Sequence, residues 1–144
     1  MTVNRSQILV IEDSKADAIL IREAIETAAI DADLHFVQDG QKATQFFDAA
    51  DADPNAPCPD LVLLDLNLPR KSGTEVLAHM RRSQACRDAL VVVVSSSETP
   101  RDREAVNALG ADGYFRKPSE YSEFLKLGPV AKSLLEQRAG KKGR

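Results

Sequence analysis

"LVLLDLNLPRKSG", residues 61–73, decides how this chain is read. Four apolar residues, Leu61 to Leu64, form a run with no alternation, as expected of a strand covered on both faces. The run then meets an aspartate, Asp65, and a segment holding Pro69 and Gly73 that turns the chain toward a new helix. A carboxylate at the end of a buried strand is costly to place and needs a reason.

Similar runs recur on either side: "ILVI" at 8–11, "LHFV" at 34–37 and "LVVVV" at 90–94, with a weaker "GYFR" at 113–116. Between them fall stretches of helical period. Ala18, Ile21, Ile25 and Ala28 make one stripe, Val76, Leu77 and Met80 a second, and Val106 with Leu109 part of a third. Ser14, Ser72 and Thr99 are placed to cap helices, the last with Pro100 at the first helical position. Strand and helix alternate through five βα units. The expected fold is therefore α/β, a three-layer, doubly wound (βα)5 arrangement of flavodoxin-like type around a five-stranded parallel sheet in the order 2-1-3-4-5.

With 144 residues, the chain is one ordinary domain. A 43% hydrophobic and 28% charged composition excludes wholesale disorder. The net charge of −3 gives no electrostatic case for nucleic acid, and no apolar run approaches the roughly 20 residues of a membrane span. Cys58 and Cys86 lie far apart in sequence, without His or Cys neighbours at metal-ligand spacing. Neither a disulfide framework nor a zinc site is expected, which suits a reducing cytoplasm. The segment "DADPNAPCPD", 51–60, reads as a loop, and the last helix is expected over about 122–138 with a kink or break at Gly128 and Pro129. The folded domain is assigned to 6–138, leaving 139–144 as a short, basic, disordered tail and no room for an output domain.

In an open parallel sheet, ligands bind at the carboxyl ends of the strands. Those ends carry Glu12 and Asp13, Asp65, Ser95, and Lys117 followed by Pro118. Three packed carboxylates repel one another unless a cation neutralises them, and an oxygen-rich set with room for water suits Mg²⁺ or Mn²⁺. Beside a metal, one carboxylate can attack phosphorus and form an acyl phosphate. A lysine and a hydroxyl would balance the phosphoryl oxygens.

These motifs, "IEDS" after strand one, "DLNLPRKSG" after strand three, a hydroxyl after strand four and "GADGYFRKP" at strand five, resemble the receiver domain of two-component response regulators. The resemblance implies a phosphoacceptor at Asp65, supplied by a sensor histidine kinase. It also implies a metal held by Asp13, Glu12, Asp65 and the backbone carbonyl of Asn67. Ser95 and Lys117 would bond the phosphoryl oxygens, and Ser95 with Tyr114 would form the switch. Asn67 and Ser97 would tune dephosphorylation, and the bond before Pro118 would be cis. Glu12 stands where many receivers have aspartate, and its extra methylene weighs toward metal contact through water. Ser95 replaces a common threonine, which loosens its coupling to Tyr114.

"IEDSKADAILIREAIE", "LLDLNLPRKSGTEVL" and the long loop before strand three resemble stand-alone receivers partnered with bacterial phytochrome kinases. Output would then pass by contact, to a histidine phosphotransfer protein, to a target, or by draining the kinase of phosphate. Receivers of that type often dimerise through the face of helix 4, strand 5 and helix 5, which here carries "GYF" and "EYSEFL". Beyond self-catalysed phosphotransfer and autodephosphorylation, no enzymatic role is expected.

Two rivals are weaker. A receiver-like binding module that accepts no phosphate should lack the acceptor, an acidic partner or the lysine. A haloacid-dehalogenase-type phosphohydrolase needs an acid two residues after its nucleophile, where this chain has Asn67. His35 and His79 lie apart from the acids, and no phosphate-cradling "GxxxxGK[ST]" loop occurs.

Overall fold

A computed structural model describes residues 5–97 and 99–142. Five parallel strands, β1 (Ser6–Ile11), β2 (Ala32–Val37), β3 (Leu61–Leu64), β4 (Leu90–Ser95) and β5 (Gly113–Arg116), form one sheet in the order β2-β1-β3-β4-β5. This is the expected flavodoxin-like topology. The alternating parity of the apolar runs builds two cores. Ile8, Val10, Leu61, Leu63, Val92 and Val94 face α1 (Lys15–Thr27) and the C-terminal helices. Leu9, Ile11, Val62, Leu64, Val91 and Val93 face α2 (Gly40–Ala52), α3 (Gly73–Arg81) and α4 (Pro100–Ala108). Burial on both faces is why β1, β3 and β4 read as unbroken apolar runs.

The helix starts follow from their caps. Ser14, Ser72 and Thr99 accept from the backbone N–H groups of Asp17, Glu75 and Asp102, and Asp39 caps α2 through Lys42 N–H. Such side chains satisfy donors that the first helical turn leaves without partners. At the other end of α4, Gly110 takes φ 78° and stops the helix.

Three expectations need correction. The final helix is broken upstream of the Gly–Pro pair, into α5 (Tyr121–Phe124) and α6 (Leu127–Lys142). Pro129 thus falls in the first turn of α6, where its missing N–H is not needed, and the helix runs on without a break to Lys142. Gly128 sits against α1, where a Cβ would lie 2.4 Å from the Ala24 carbonyl oxygen. Secondly, residues 139–142 of the expected disordered tail continue α6, since neither proline nor a left-handed glycine stops the helix there.

Thirdly, Cys58 and Cys86 form a disulfide, with Cα atoms 5.5 Å apart. Cys58 leads into β3 and Cys86 into β4, and these strands are neighbours, so both loops arrive at the amino edge of the sheet. The separation of 28 residues in sequence hid a proximity that the sheet order creates. The cysteines therefore lend no support to a reducing compartment. No helix among the described residues is long and apolar enough to cross a membrane.

Candidate functional site at the carboxyl edge of the sheet

Sheet register brings the acids together. Ile11 pairs with Leu64, so the next residues, Glu12 and Asp65, leave the sheet side by side, and Asp65 N–H bonds the Ile11 carbonyl at 3.1 Å. Glu12 N–H is held by the Val37 carbonyl at 3.0 Å. The loop after Asp65 folds back at Gly73, whose N–H bonds the Leu66 carbonyl; a Cβ there would lie 2.3 Å from the Asp65 carbonyl oxygen. No other residue fits that approach.

One carboxylate oxygen from each of Glu12, Asp13 and Asp65 lies within 4.8 Å of the others. Glu12 and Asp65 are buried, at 4% and 5% exposure, while Asp13 faces solvent. Glu12 Oε2 accepts from Ser14 N–H. Its Oε1 is fully buried and has no aligned hydrogen-bond donor, although it lies in charge contact with Lys117. A buried carboxylate oxygen with only the Lys117 ammonium against it, beside two further acids, fits a hard cation with oxygen ligands, one side open to water.

Lys117 follows β5, and its N–H is tied to the Ser95 carbonyl at 3.0 Å. Its ammonium lies 2.8 Å from Glu12 Oε1, 2.7 Å from Asp17 Oδ2 and 3.2 Å from Asp65 Oδ2. Burial acts against the charged ammonium, but hydrogen bonding to Asp17 and the negative charge of Glu12 and Asp65 outweigh it, so Lys117 is held above the ordinary lysine range. Burial is also the largest influence on Glu12. It pushes that carboxyl from 4.5 up to about 7, with Asp65 adding repulsion and Lys117 and Ser14 N–H pulling the other way. Three carboxylates thus share one ammonium, and the most deeply buried of the three, Glu12, bears the cost.

The expected residues are not all in one cluster. Asn67 N–H donates to Asp65 Oδ1 at 3.2 Å, which puts Asn67 beside the acceptor. Ser95 ends β4 fully buried, and its Oγ accepts from Ser97 N–H rather than bonding the acids. The Ser97 hydroxyl is committed to Asp102 of α4, and the Tyr114 hydroxyl donates to the Ser97 carbonyl. Arg103 lies over the Tyr114 ring, 4.5 Å from its centroid. Ser95, Ser97 and Tyr114 therefore form a second, connected group on the β4–α4 loop.

The peptide bond before Pro118 is trans, contrary to expectation, as are all bonds among the described residues. Trans is the lower-energy isomer even before proline, and the backbone tie to Ser95 already directs Lys117 into the acids. His35 pairs with Gln7 and His79 with Asp48, away from the site.

Asp17 is the site residue that sequence reading missed. Its signal was the Ser14 cap: a residue three positions beyond an N-cap lies in the first helical turn, here above the sheet edge.

The family model for the response regulator receiver domain matches residues 8–127, and the chain belongs to this family. Among its relatives, response regulator Rcp1 of Synechocystis sp. (strain PCC 6803) is 38% identical over 120 residues, covering 83% of this chain and 82% of Rcp1. The solved structure of the phosphorylated cyanobacterial phytochrome response regulator RcpA superposes with a TM-score of 0.84 at 32% identity, covering 93% and 96% of the two chains. The Mn²⁺-bound form of Rcp1 gives 0.79 at 36% identity over 89% and 92%. The bacteriophytochrome response regulator RtBRR gives 0.73 at 30% identity over 92% and 78%.

Proposed function

We propose that this protein accepts a phosphoryl group on Asp65 from a phosphohistidine of a sensor histidine kinase and signals through contacts that depend on it. The observation that carries this reading is the Lys117 ammonium, 3.2 Å from Asp65 in a buried acidic cluster at the sheet edge. An Asp65 carboxylate oxygen attacks phosphorus as the phosphorus–nitrogen bond breaks, and the imidazole nitrogen leaves with that electron pair and takes up a proton. Glu12, Asp13, Asp65 and the Asn67 carbonyl are the residues that would hold Mg²⁺ or Mn²⁺, which would offset charge on the transferring group. Lys117 and Ser95 stabilise the phosphoryl oxygens.

Tyr114 and Ser95 report the change to the β4–α4 loop. The bond from Tyr114 to the Ser97 carbonyl supports that role, because it ties the aromatic to the loop a phosphoryl group would pull. Asn67 and Ser97 tune hydrolysis of the acyl phosphate. Asn67 at the position where a phosphohydrolase needs an acid also argues against the enzymatic rival. Incubation with acetyl phosphate and Mg²⁺ should add one phosphoryl group to the intact mass. An unchanged mass, or addition that survives Asp65→Asn, defeats the reading.

The kinase is of the phytochrome type, a reading supported by the likeness to Rcp1, RcpA and RtBRR. Phosphotransfer profiling against purified kinases tests it, and should also reveal any histidine phosphotransfer protein that takes the group onward. Homodimerisation uses the face of α4, β5 and α5. Phe124 of that segment is buried in the core, while Tyr121 is 53% exposed with its hydroxyl bonded to Glu23 of α1, so the dimer reading is supported by the likeness to phytochrome response regulators. Sedimentation with and without phosphorylation should show self-association; a strict monomer in both states refutes it. The protein works in the cytoplasm, which fractionation of the source cells checks.

A further inference from the structure

We infer that Asp17 is a latch that holds Lys117 while Asp65 is unmodified and gives it up to the phosphoryl group, so that Asp17 sets how readily the site responds. The inference rests on Asp65 being the acceptor. Of the three carboxylates around the Lys117 ammonium, Asp17 Oδ2 and Glu12 Oε1 lie at 2.7 and 2.8 Å, and Asp65, at 3.2 Å, is the farthest. The unmodified site thus commits the lysine to Asp17 and Glu12 more closely than to the residue it serves. A phosphoryl group brings nearly two negative charges and three acceptor oxygens to Asp65, and the ammonium has only three donors to share.

Which partner releases the lysine follows from burial. The Glu12 side chain is 1% exposed, with no water to take the place of the lysine, and would depend on the bound cation alone to offset its charge. Asp17 is 28% exposed and stands in the first turn of α1, where water and the positive end of the helix stabilise its carboxylate without the lysine. Asp17 is therefore the partner that can let go. Its own N–H stays bonded to Ser14 Oγ, so release moves a side chain and leaves the helix cap intact. In this role Asp17 is a positioning residue that acts through Lys117, and it opposes the modified state.

The sign of its effect separates this role from simple scaffolding. Beryllofluoride with Mg²⁺ is the probe, as a non-covalent mimic of the phosphoryl group, with binding followed by ¹⁹F NMR. Asp17→Asn should bind it about fivefold more tightly than the wild type, the scale of a part-exposed charge pair. Glu26→Gln, which removes the same charge farther along α1, should change nothing. If Asp17 merely props Lys117 in place, Asp17→Asn binds more weakly; weaker or unchanged binding overturns the inference. In the wild-type protein, the Asp17 carboxyl ¹³C resonance should shift when the probe binds, and a stationary resonance overturns it even if the variant fails to fold. Failure of the wild type to bind, or undiminished binding by Asp65→Asn, would instead defeat the acceptor reading and this inference with it.

Discussion

Replacing Glu12 by glutamine keeps the shape of a buried side chain and removes its charge. In the folded, metal-free protein this carboxyl is pushed from 4.5 up to about 7, first by burial and then by Asp65, with Lys117 only partly offsetting them. A carboxyl raised on folding leaves stability whole below its unfolded value, and stability is lost as pH climbs through the folded one. The loss here falls between about pH 4.5 and pH 7. At about 1.4 kcal/mol for each tenfold change, the whole gap corresponds to roughly 3 to 4 kcal/mol. Linkage places most of it in the interval from about pH 5 to about pH 8.

Urea unfolding of wild type and Glu12→Gln across that interval, with a chelator present, reads Glu12 and the neighbours it is coupled to, because titrations elsewhere in the protein cancel in the difference. The variant should gain on the wild type by roughly 2 to 3 kcal/mol as pH rises. Mg²⁺ should close much of the gap near pH 8 by stabilising the ionised wild-type site, and do little near pH 5. A difference that stays flat with pH would refute the account of Glu12 as a strained carboxylate awaiting a cation. Lys117, held high, stays charged throughout and does not confuse the result.

Arg81 of α3 donates to the carbonyls of Leu109, Gly110, Ala89 and Arg87, riveting the end of α4 to the loop before β4. Arg81→Ala should cost about 3 kcal/mol in urea unfolding, and Arg81→Lys should recover little of it, because an ammonium cannot span those four acceptors. Cys58→Ser with Cys86→Ser opens a crosslink over 28 residues and should cost about 3.5 kcal/mol. Dithiothreitol should lower wild-type stability and leave the double variant unchanged. Gly73→Ala pushes a methyl against the Asp65 carbonyl and should destabilise by about 3 kcal/mol while slowing labelling by acetyl phosphate.

The architecture was legible because period and burial agree. Unbroken runs at Leu61 to Leu64 and Val91 to Val94 demand cover on both faces, and the alternation of strands with capped helices leaves few topologies. The acids at strand ends followed from the same reading. What escaped it depends on relations the linear order does not carry. The disulfide needed β3 and β4 to be neighbours before Cys58 and Cys86 could be seen to meet at one edge. The Gly–Pro pair was read as a breaker where it stands, but proline at the start of a helix is permissive, and the chain breaks just before it.

Asp17 shows why a site can be half visible. Glu12, Asp13, Asp65 and Lys117 each sit at or beside a strand terminus, where a polar residue stands out against apolar neighbours. Asp17 lies on a helix among charged residues, where another acid is unremarked, and only the cap at Ser14 indicates that it faces the sheet edge. The distinction has a functional sense. Glu12 and Asp65, fixed by the sheet, are buried and cannot relax into water, so they can store charge but not release it. A group that must give up its partner on signalling needs water within reach, and the first turn of α1 is where this fold provides both the partner and the water.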